Sequence, residues 1–408
     1  MRLLVVNHYA GSPEMGMELR PYYLAREWKK MGHEVMIVAA SYSHLRAHQP
    51  EQAETLKRET REGVDYLWIR TPVYRKNNVK RFVNIAAFVA KLFRYGKKIA
   101  DGFAPDAVIA SSTYPFDVPA AERIARRAGA KLVFEVHDLW PLSPMELGGM
   151  SKWNPFIVAT QAGENYACRN ADKVVSILPL AKDHLISHGM KEKNFVHVPN
   201  GIPEDGSHAG GKSIPELHLK SLLKFRNEGR FIVGYFGSHA PSDDLENLLR
   251  TAGLMKNEKV CFIMVGEGPE KQSLKASAEK MKLDNVAFLP FVPKSVVGDL
   301  MKEMDALYIG WKKRNLYRFG ISPTKLMDYM VSGRPVINAI KAGNNLVEEA
   351  GCGISTEPED PASLRDAILG MIRLSDEERR EMGARGRNHV LGRYSYPKLA
   401  EDFIRGIS

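Results

Sequence analysis

Cysteine is scarce in this chain, and no apolar run is long. Cys168, Cys261 and Cys352 are the only three among 408 residues. They are far apart and odd in number, with no spacing that suits a disulfide framework or a cysteine-held metal, so a reducing, cytoplasmic setting is expected. No apolar stretch reaches the roughly 20 residues needed to span a bilayer. The opening Met1-Arg2-Leu3-Leu4-Val5-Val6-Asn7 is too short an apolar run for a signal peptide and reads as a strand. G-x-G-x-x-G is absent, which excludes the dinucleotide fingerprint. No nucleic-acid recognition motif accompanies the positive charge, which turns the search toward other anions.

That charge is substantial: 58 Lys and Arg stand against 48 Asp and Glu, a net +10. Such a surplus suits a polyanionic ligand or an anionic surface. The length predicts two or three domains. Strand-like runs at Leu3–Asn7, Val35–Ala39, Ala107–Ser111, Lys131–Val136 and Lys173–Ile177 are separated by helical patterns. One of these carries Leu24, Trp28 and Met31 at helical spacing and stops at Gly32. After Val198-Pro199-Asn200-Gly201-Ile202 the alternation restarts, with strands at Phe231–Phe236, Val260–Val265, Val286–Leu289, Ala306–Ile309 and Val336–Ala339 and a helix at Asp243–Ala252. The pattern predicts two doubly wound α/β domains: 1–197, then a linker over 198–228, then 229–393. A final helix, 394–408, is expected to cross back to the first domain. Ligands of such folds bind outside the carboxyl ends of the strands, here in a cleft between two facing sheets.

The densest signal is Ser322-Pro323-Thr324-Lys325-Leu326-Met327-Asp328, followed by Gly333 and Pro335. It predicts a short helix with Ser322 as N-cap, Pro323 at the first helical position and Gly333 as the left-handed stop. Free amides and the helix dipole at such an end attract anions, and Lys325 adds a full charge. Asp328, one turn deeper, suits a diol. A cation at the mouth with a carboxylate behind it suits a nucleotide. Taken alone, the same residues fit a solvated surface helix.

In their order along the chain these segments resemble family-4 retaining glycosyltransferases of the GT-B fold, over nearly the whole length. The carriers are Val198-Pro199-Asn200-Gly201-Ile202, the turn Gly266-Glu267-Gly268-Pro269, and Asp328-Tyr329-Met330-Val331-Ser332-Gly333-Arg334-Pro335-Val336. Within that family the chain is similar to bacterial surface-polysaccharide enzymes carrying S-P-x-K-L-x-D/E-Y, including transferases of amino-deoxy sugars of the L-fucosamine type.

The resemblance implies a donor site for a nucleotide-diphosphate sugar, UDP-linked, in the second domain. Asp328 matches the second carboxylate of the family's E-x7-E motif and is expected to hold the ribose hydroxyls. The first carboxylate falls at Gly320 and is absent. The family's phosphate-binding Arg/Lys pair follows the glycine that ends the first strand of this domain. Here Gly237 is followed by Ser238-His239-Ala240-Pro241-Ser242-Asp243-Asp244, with neither cation. Lys325 and the Ser322, Pro323 and Thr324 backbone take their place, with Arg318 or Arg314 assisting or merely solvated. Gly266, and Glu348 beside Glu349, are further donor-side candidates, although a solvated helix start explains the two glutamates equally well. Preorganised positive charge is expected to supply most of the rate, with Lys325 on the leaving phosphates. No Asp-x-Asp pair occurs, so no metal bridging the diphosphate, and no other cofactor, is expected.

On the N-terminal side the resemblance places His137, at the end of a strand, beside the donor sugar or the reacting centre. Asp138 either orients it, binds acceptor or caps the loop. Gly16, in the loop after the first strand, is expected to approach the donor phosphates, and Glu14 and Arg20 to face acceptor. Arg75, Lys76, Lys80, Arg81, Lys91, Arg94, Lys97 and Lys98 form an acid-free stretch interleaved with apolar residues at helical spacing. It reads as a helix on an anionic inner-leaflet surface, where a polyprenyl-diphosphate-linked saccharide acceptor would lie, or as a helix packed on the first sheet. Two other classes fit the scaffold: a sugar-nucleotide epimerase or hydrolase, and a noncatalytic sugar-nucleotide-binding partner.

Overall fold

A computed structural model describes residues 1–16, 18–51, 54–74, 79–204 and 213–408. Arg75 and Lys76 of the basic stretch, and 205–212 of the expected linker, lie outside the described residues. The chain divides into two compact units: Met1–Asn200 with Arg318–Ser322 and Tyr396–Ser408, and Gly201–Tyr317 with Pro323–Ser395.

The N-terminal unit is built on β1 (Arg2–Val6), β2 (Glu34–Ala40), β3 (Leu56–Arg61), β4 (Val64–Ile69), β5 (Ala107–Ala110), β6 (Lys131–Val136), β7 (Lys173–Ser176) and β8 (Phe195–His197). Their order is β3-β4-β2-β1-β5-β6-β7-β8, parallel throughout except for β3 against β4. β1 and β2 are covered on both faces, so they read as continuous apolar runs. The β3–β4 hairpin escapes that reading. β3 is Leu56-Lys57-Arg58-Glu59-Thr60-Arg61, an edge strand whose charges guard against further pairing. Its turn, Glu62-Gly63, has φ of 45° and 80°, the geometry of a tight two-residue hairpin.

The last helix, Tyr396–Ile407, belongs to this unit. Trp28, on the helix Arg20–Lys30, donates its indole N–H to Ala400 O at 3.1 Å and meets the Phe403 ring edge-on, while Tyr23 stacks on Tyr396. The preceding helix runs Asp376–Tyr394 and ends where Ser395 turns extended.

The C-terminal unit carries β9 (Phe231–Phe236), β10 (Val260–Val265), β11 (Val286–Leu289), β12 (Ala306–Gly310), β13 (Val336–Ala339) and β14 (Gly353–Ser355). Their order is β11-β10-β9-β12-β13-β14, all parallel. Part of the expected linker is structured: Glu216–Asn227 is a helix packed on β9 and β11, with His218 donating to Pro290 O at 2.9 Å. The helix expected at Asp243–Ala252 spans Leu245–Leu254, and Asp243 closes a short 3-10 turn ahead of it. No helix among the described residues is long and apolar enough to cross a membrane.

Strand order reverses between β1 and β5 in one sheet and between β9 and β12 in the other. The segments after β1, β5 and β9 are therefore where a ligand is to be looked for.

Candidate functional site

In the C-terminal unit, β9 runs into Gly237, and the helix Thr324–Val331 starts beside it. A β-carbon on Gly237 would stand 2.6 Å from both Cε and Nζ of Lys325. One on Gly266, after β10, would stand 1.9 Å from Gly237 O, and one on Gly268 2.5 Å from His239 N. These glycines let two strand-end loops and a lysine stem share a space that side chains would fill.

Lys325 Nζ donates to Asp243 Oδ1 at 2.8 Å and to Tyr235 OH at 2.9 Å, and lies 4.7 Å from the centre of the Tyr235 ring. Ser238 Oγ donates to Asp243 Oδ2 at 2.8 Å, and Tyr235 OH donates to Ser238 O. Burial pulls the Lys325 pKa down, while Asp243 works in the opposite direction. Its side chain keeps 21% exposure, so the charge stays reachable. One turn on, Tyr329 OH accepts from Phe236 N–H at 2.7 Å and donates to Phe236 O at 2.9 Å. Lys325 and Tyr329 share the helix face that grips β9, and Asp328 sits half-buried beside them.

The start of that helix differs from expectation. Pro323 is the N-cap, the first helical residue is Thr324, and no side chain caps the end. Ser322, one residue before the cap, bonds Asn200 instead: Oγ accepts from Asn200 N–H at 2.8 Å, and its carbonyl accepts from Asn200 Nδ2 at 2.8 Å. Leu326 N–H bonds Pro323 O at 3.2 Å, so the Thr324 and Lys325 amides lead the helix's own ladder. Gly333 has φ 75°, the expected left-handed stop.

Ser322 and Arg318 belong to the N-terminal unit. Arg318 grips both carboxylate oxygens of Glu146 at 3.0 to 3.1 Å and covers the Phe319 ring at 4.2 Å. Gly320 has φ 86° and is buried, a conformation that glutamate rarely adopts, which accounts physically for the missing first carboxylate. Glu348 and Glu349 are exposed on the first turn of the helix Leu346–Ala350, capped by Asn345, and line an open depression with Asn344, Ser355 and Glu357.

In the N-terminal unit His137 follows β6, and Glu135 stands two residues before it on the same face of the chain. Glu135 is 2% exposed. Its Oε1 accepts from Arg20 Nε at 2.9 Å, and its Oε2 accepts from Ser111 Oγ at 2.6 Å and lies 3.2 Å from His137 Nε2. Burial alone would raise the Glu135 carboxyl, but Arg20, aided by His137 and Ser111, holds it well below the usual carboxylate range. An ionised carboxylate only accepts, so His137 carries its proton on Nε2 and presents Nδ1 as an acceptor. His137 Nδ1 has no hydrogen-bond partner among the described residues. Asn7 Nδ2, after β1, donates to Ser111 O at 2.6 Å and completes the network.

Arg20 therefore does not face an acceptor. It is 3% exposed, and its remaining nitrogens donate to Pro199 O at 2.5 Å and Val198 O at 2.9 Å. A buried guanidinium needs a full set of acceptors, and the Val198-Pro199 carbonyls supply them. Asp138 is a loop cap: it accepts from Leu139 N–H at 2.9 Å and from Ser143 Oγ. His137 is oriented by Glu135 and Ser111 instead. Gly16 adopts φ 89° and closes a turn on Ser12, and Glu14 is exposed on that turn. Sequence reasoning missed Asp243, Tyr235, Ser111, Asn7 and Glu135. Only Glu135 left a signal, as a lone acid inside the apolar run Lys131-Leu132-Val133-Phe134-Glu135-Val136.

The two units, each an α/β layer arrangement on a largely parallel sheet, have the architecture of the GT-B class. Comparison with known proteins agrees. Residues 15–201 match the family described as glycosyl transferase 4-like domain, and residues 230–373 the family described as glycosyl transferases group 1. A protein of Escherichia coli (strain K12) named as a colanic acid biosynthesis glycosyl transferase, WcaI, is 25% identical over 360 residues, 84% of this chain and 86% of its own. Among solved structures, Anabaena HepE in complex with UDP superposes with a TM-score of 0.69 at 16% identity, covering 99% of both chains. Sucrose-phosphate synthase of Thermosynechococcus elongatus does so with a TM-score of 0.74 at 15% identity, covering 99% of this chain and 98% of its own. The protein is a glycosyltransferase that joins a glycosyl transferase 4-like domain to a group 1 domain.

Proposed function

We propose that this enzyme is a retaining glycosyltransferase of surface polysaccharide biosynthesis. Its donor is a UDP-sugar carrying an N-acetylated amino or deoxy sugar, and its acceptor is a saccharide on polyprenyl diphosphate. The observation that carries the donor assignment is Lys325, a half-reachable cation held at the leading turn of the helix Thr324–Val331 with Asp328 one turn behind. The Thr324 and Lys325 amides and the Lys325 ammonium meet the diphosphate, and Asp328 accepts from the ribose hydroxyls. This arrangement asks for no metal between the phosphates. Two likenesses support the reading: HepE has been solved with UDP and with UDP-glucose, and WcaI is named for colanic acid biosynthesis.

In the N-terminal unit, Glu135 and Ser111 fix the His137 ring and leave Nδ1 to accept from a sugar hydroxyl. As the anomeric bond breaks, positive charge grows on the sugar and negative charge on the departing phosphate, which Lys325 stabilises. The leaving phosphate oxygen takes the acceptor proton as the new glycosidic bond forms on the same face.

The helix Val79–Phe103 buries Ile85, Phe88, Leu92 and Ile99 on one side. On the other it exposes Phe82 and Val83 together with Lys80, Arg94, Lys97 and Lys98. Phe82 meets the Phe156 ring, and Trp153, ahead of Phe156, is 78% exposed. The outer face, basic and partly apolar, suits an anionic inner leaflet.

Thermal shift against a panel of nucleotide sugars, followed by transfer to a polyprenyl-linked acceptor, tests the assignment. UDP compounds should raise the melting temperature, and Asp328→Ala should abolish that rise without unfolding the protein. A panel without any UDP response would overturn the donor assignment.

A further inference from the structure

Glu164 projects from the helix Pro155–Asn170, and His184 and His188 stand one turn apart on the helix Lys182–Ser187 and its C-cap. One ligand atom from each of the three lies within 4.8 Å of the others, the one such cluster among the described residues. His184 Nε2 is 2.9 Å from Glu164 Oε1, and His188 Nε2 is 3.9 Å from Glu164 Oε2. The imidazole rings are 4.4 Å apart. Metal–ligand bonds of about 2.0–2.2 Å in a tetrahedron separate ligand atoms by roughly 3.3–3.6 Å, within the spread of these distances.

The surroundings are those of a ligand set. Asn165 Oδ1 lies 2.8 Å from His188 Nδ1, an acceptor that calls for Nδ1–H and leaves the Nε2 lone pair on the Glu164 side. Gln161 Nε2 donates to Glu164 Oε2 at 2.8 Å and to Asn165 Oδ1 at 3.0 Å, and also lies 3.0 Å from His188 Nδ1. Glu164 is almost fully enclosed, while the His188 side chain keeps 23% exposure, so a small ligand can reach the site from that side. Two imidazoles and one carboxylate select a borderline transition ion over calcium or magnesium.

We propose that Glu164, His184 and His188 form a zinc(II) site, with water as the fourth ligand on the His188 side. The site ties the helix Pro155–Asn170 to the segment 182–188. The His184 ring lies 5.3 Å from the Phe319 ring, and Leu180 N–H donates to Phe319 O at 3.0 Å, so the ion would also brace the segment Arg318–Ser322.

The test uses untagged full-length protein stripped with EDTA, titrated with zinc(II) by calorimetry and with cobalt(II) by visible absorption. One saturable equivalent is expected, with d–d bands of four- or five-coordinate cobalt and a zinc-dependent rise in melting temperature. His188→Ala and Glu164→Gln should each remove the bands and the rise, and His48→Ala, at an exposed histidine, should change neither. A circular dichroism spectrum of metal-free His188→Ala identical to the parent's makes the loss a property of the ligand set. Absence of a saturable equivalent in the parent, or its persistence in His184→Ala/His188→Ala, would refute the site.

Discussion

Gly237 and Lys325 are complementary in shape: the space a β-carbon would fill at 237 is occupied by the end of the lysine side chain, 2.6 Å away. The glycine after β9 therefore makes room for a cation supplied by a distant helix. Gly237→Ala should push Nζ off Asp243 and Tyr235 and cost about 1–3 kcal/mol, the usual penalty of overpacking. Chemical denaturation measures that cost, and calorimetry with UDP should record weaker binding. Parent-like UDP affinity in a folded Gly237→Ala protein would separate Lys325 from the nucleotide.

Lys325→Ala leaves Asp243, 5% exposed, without its cation. Breaking such a pair costs roughly 3–5 kcal/mol, nearer the low end here because Lys325 is partly solvated. Lys325→Ala/Asp243→Asn should regain most of that stability. Turnover should stay low in both, with kcat falling more than KM rises, because the charge acts chiefly on the departing phosphate. Recovery of kcat along with stability would assign Lys325 a purely structural part.

Glu135→Gln strands the buried Arg20 guanidinium, and a loss of about 3–5 kcal/mol is expected. The pH dependence carries a second signature. The folded-state pKa of Glu135 lies below its unfolded value, so its stabilisation is complete above the ordinary carboxylate range and fades as pH falls through and below it. The parent should lose stability more steeply than Glu135→Gln on acidification, seen as converging melting temperatures. Parallel curves would contradict the ionised Glu135 that sets the His137 tautomer.

Asp117 has the opposite sign. Its carboxyl is 1% exposed, and burial raises it to about 7. A raised acid favours the native state least at high pH, because the unfolded chain ionises more readily. Asp117→Asn should therefore gain stability over the parent as pH climbs from about 4 to about 7, then hold a constant advantage. Melting curves at pH 4.5, 6 and 8 decide it, and an advantage independent of pH would contradict the burial argument.

Composition and period carried much of the architecture. The strands β1, β2, β5, β6, β7, β9, β10, β11, β12 and β13 are short, mostly apolar runs, and glycine and proline punctuate them. β3 was illegible because an edge strand is selected for polarity, and β8 and β14 because three residues carry no period. At the site, the sequence alone placed Lys325 and Asp328 one helical turn apart, since an i,i+3 relation needs nothing beyond the helix.

Long-range partners were decided by tertiary structure alone. Ser322 carries every local mark of a cap, yet Asn200, 122 residues away, takes its hydroxyl. Arg20 carries the mark of a solvent-facing cation, yet Glu135, 115 residues away, buries it. His184 and His188 announce one another by spacing, but only the packing of two helices brings Glu164 to them. Local geometry is written in neighbouring residues, whereas the choice among competing hydrogen-bond partners is made by whichever side chain the folded sheets deliver to within 3 Å.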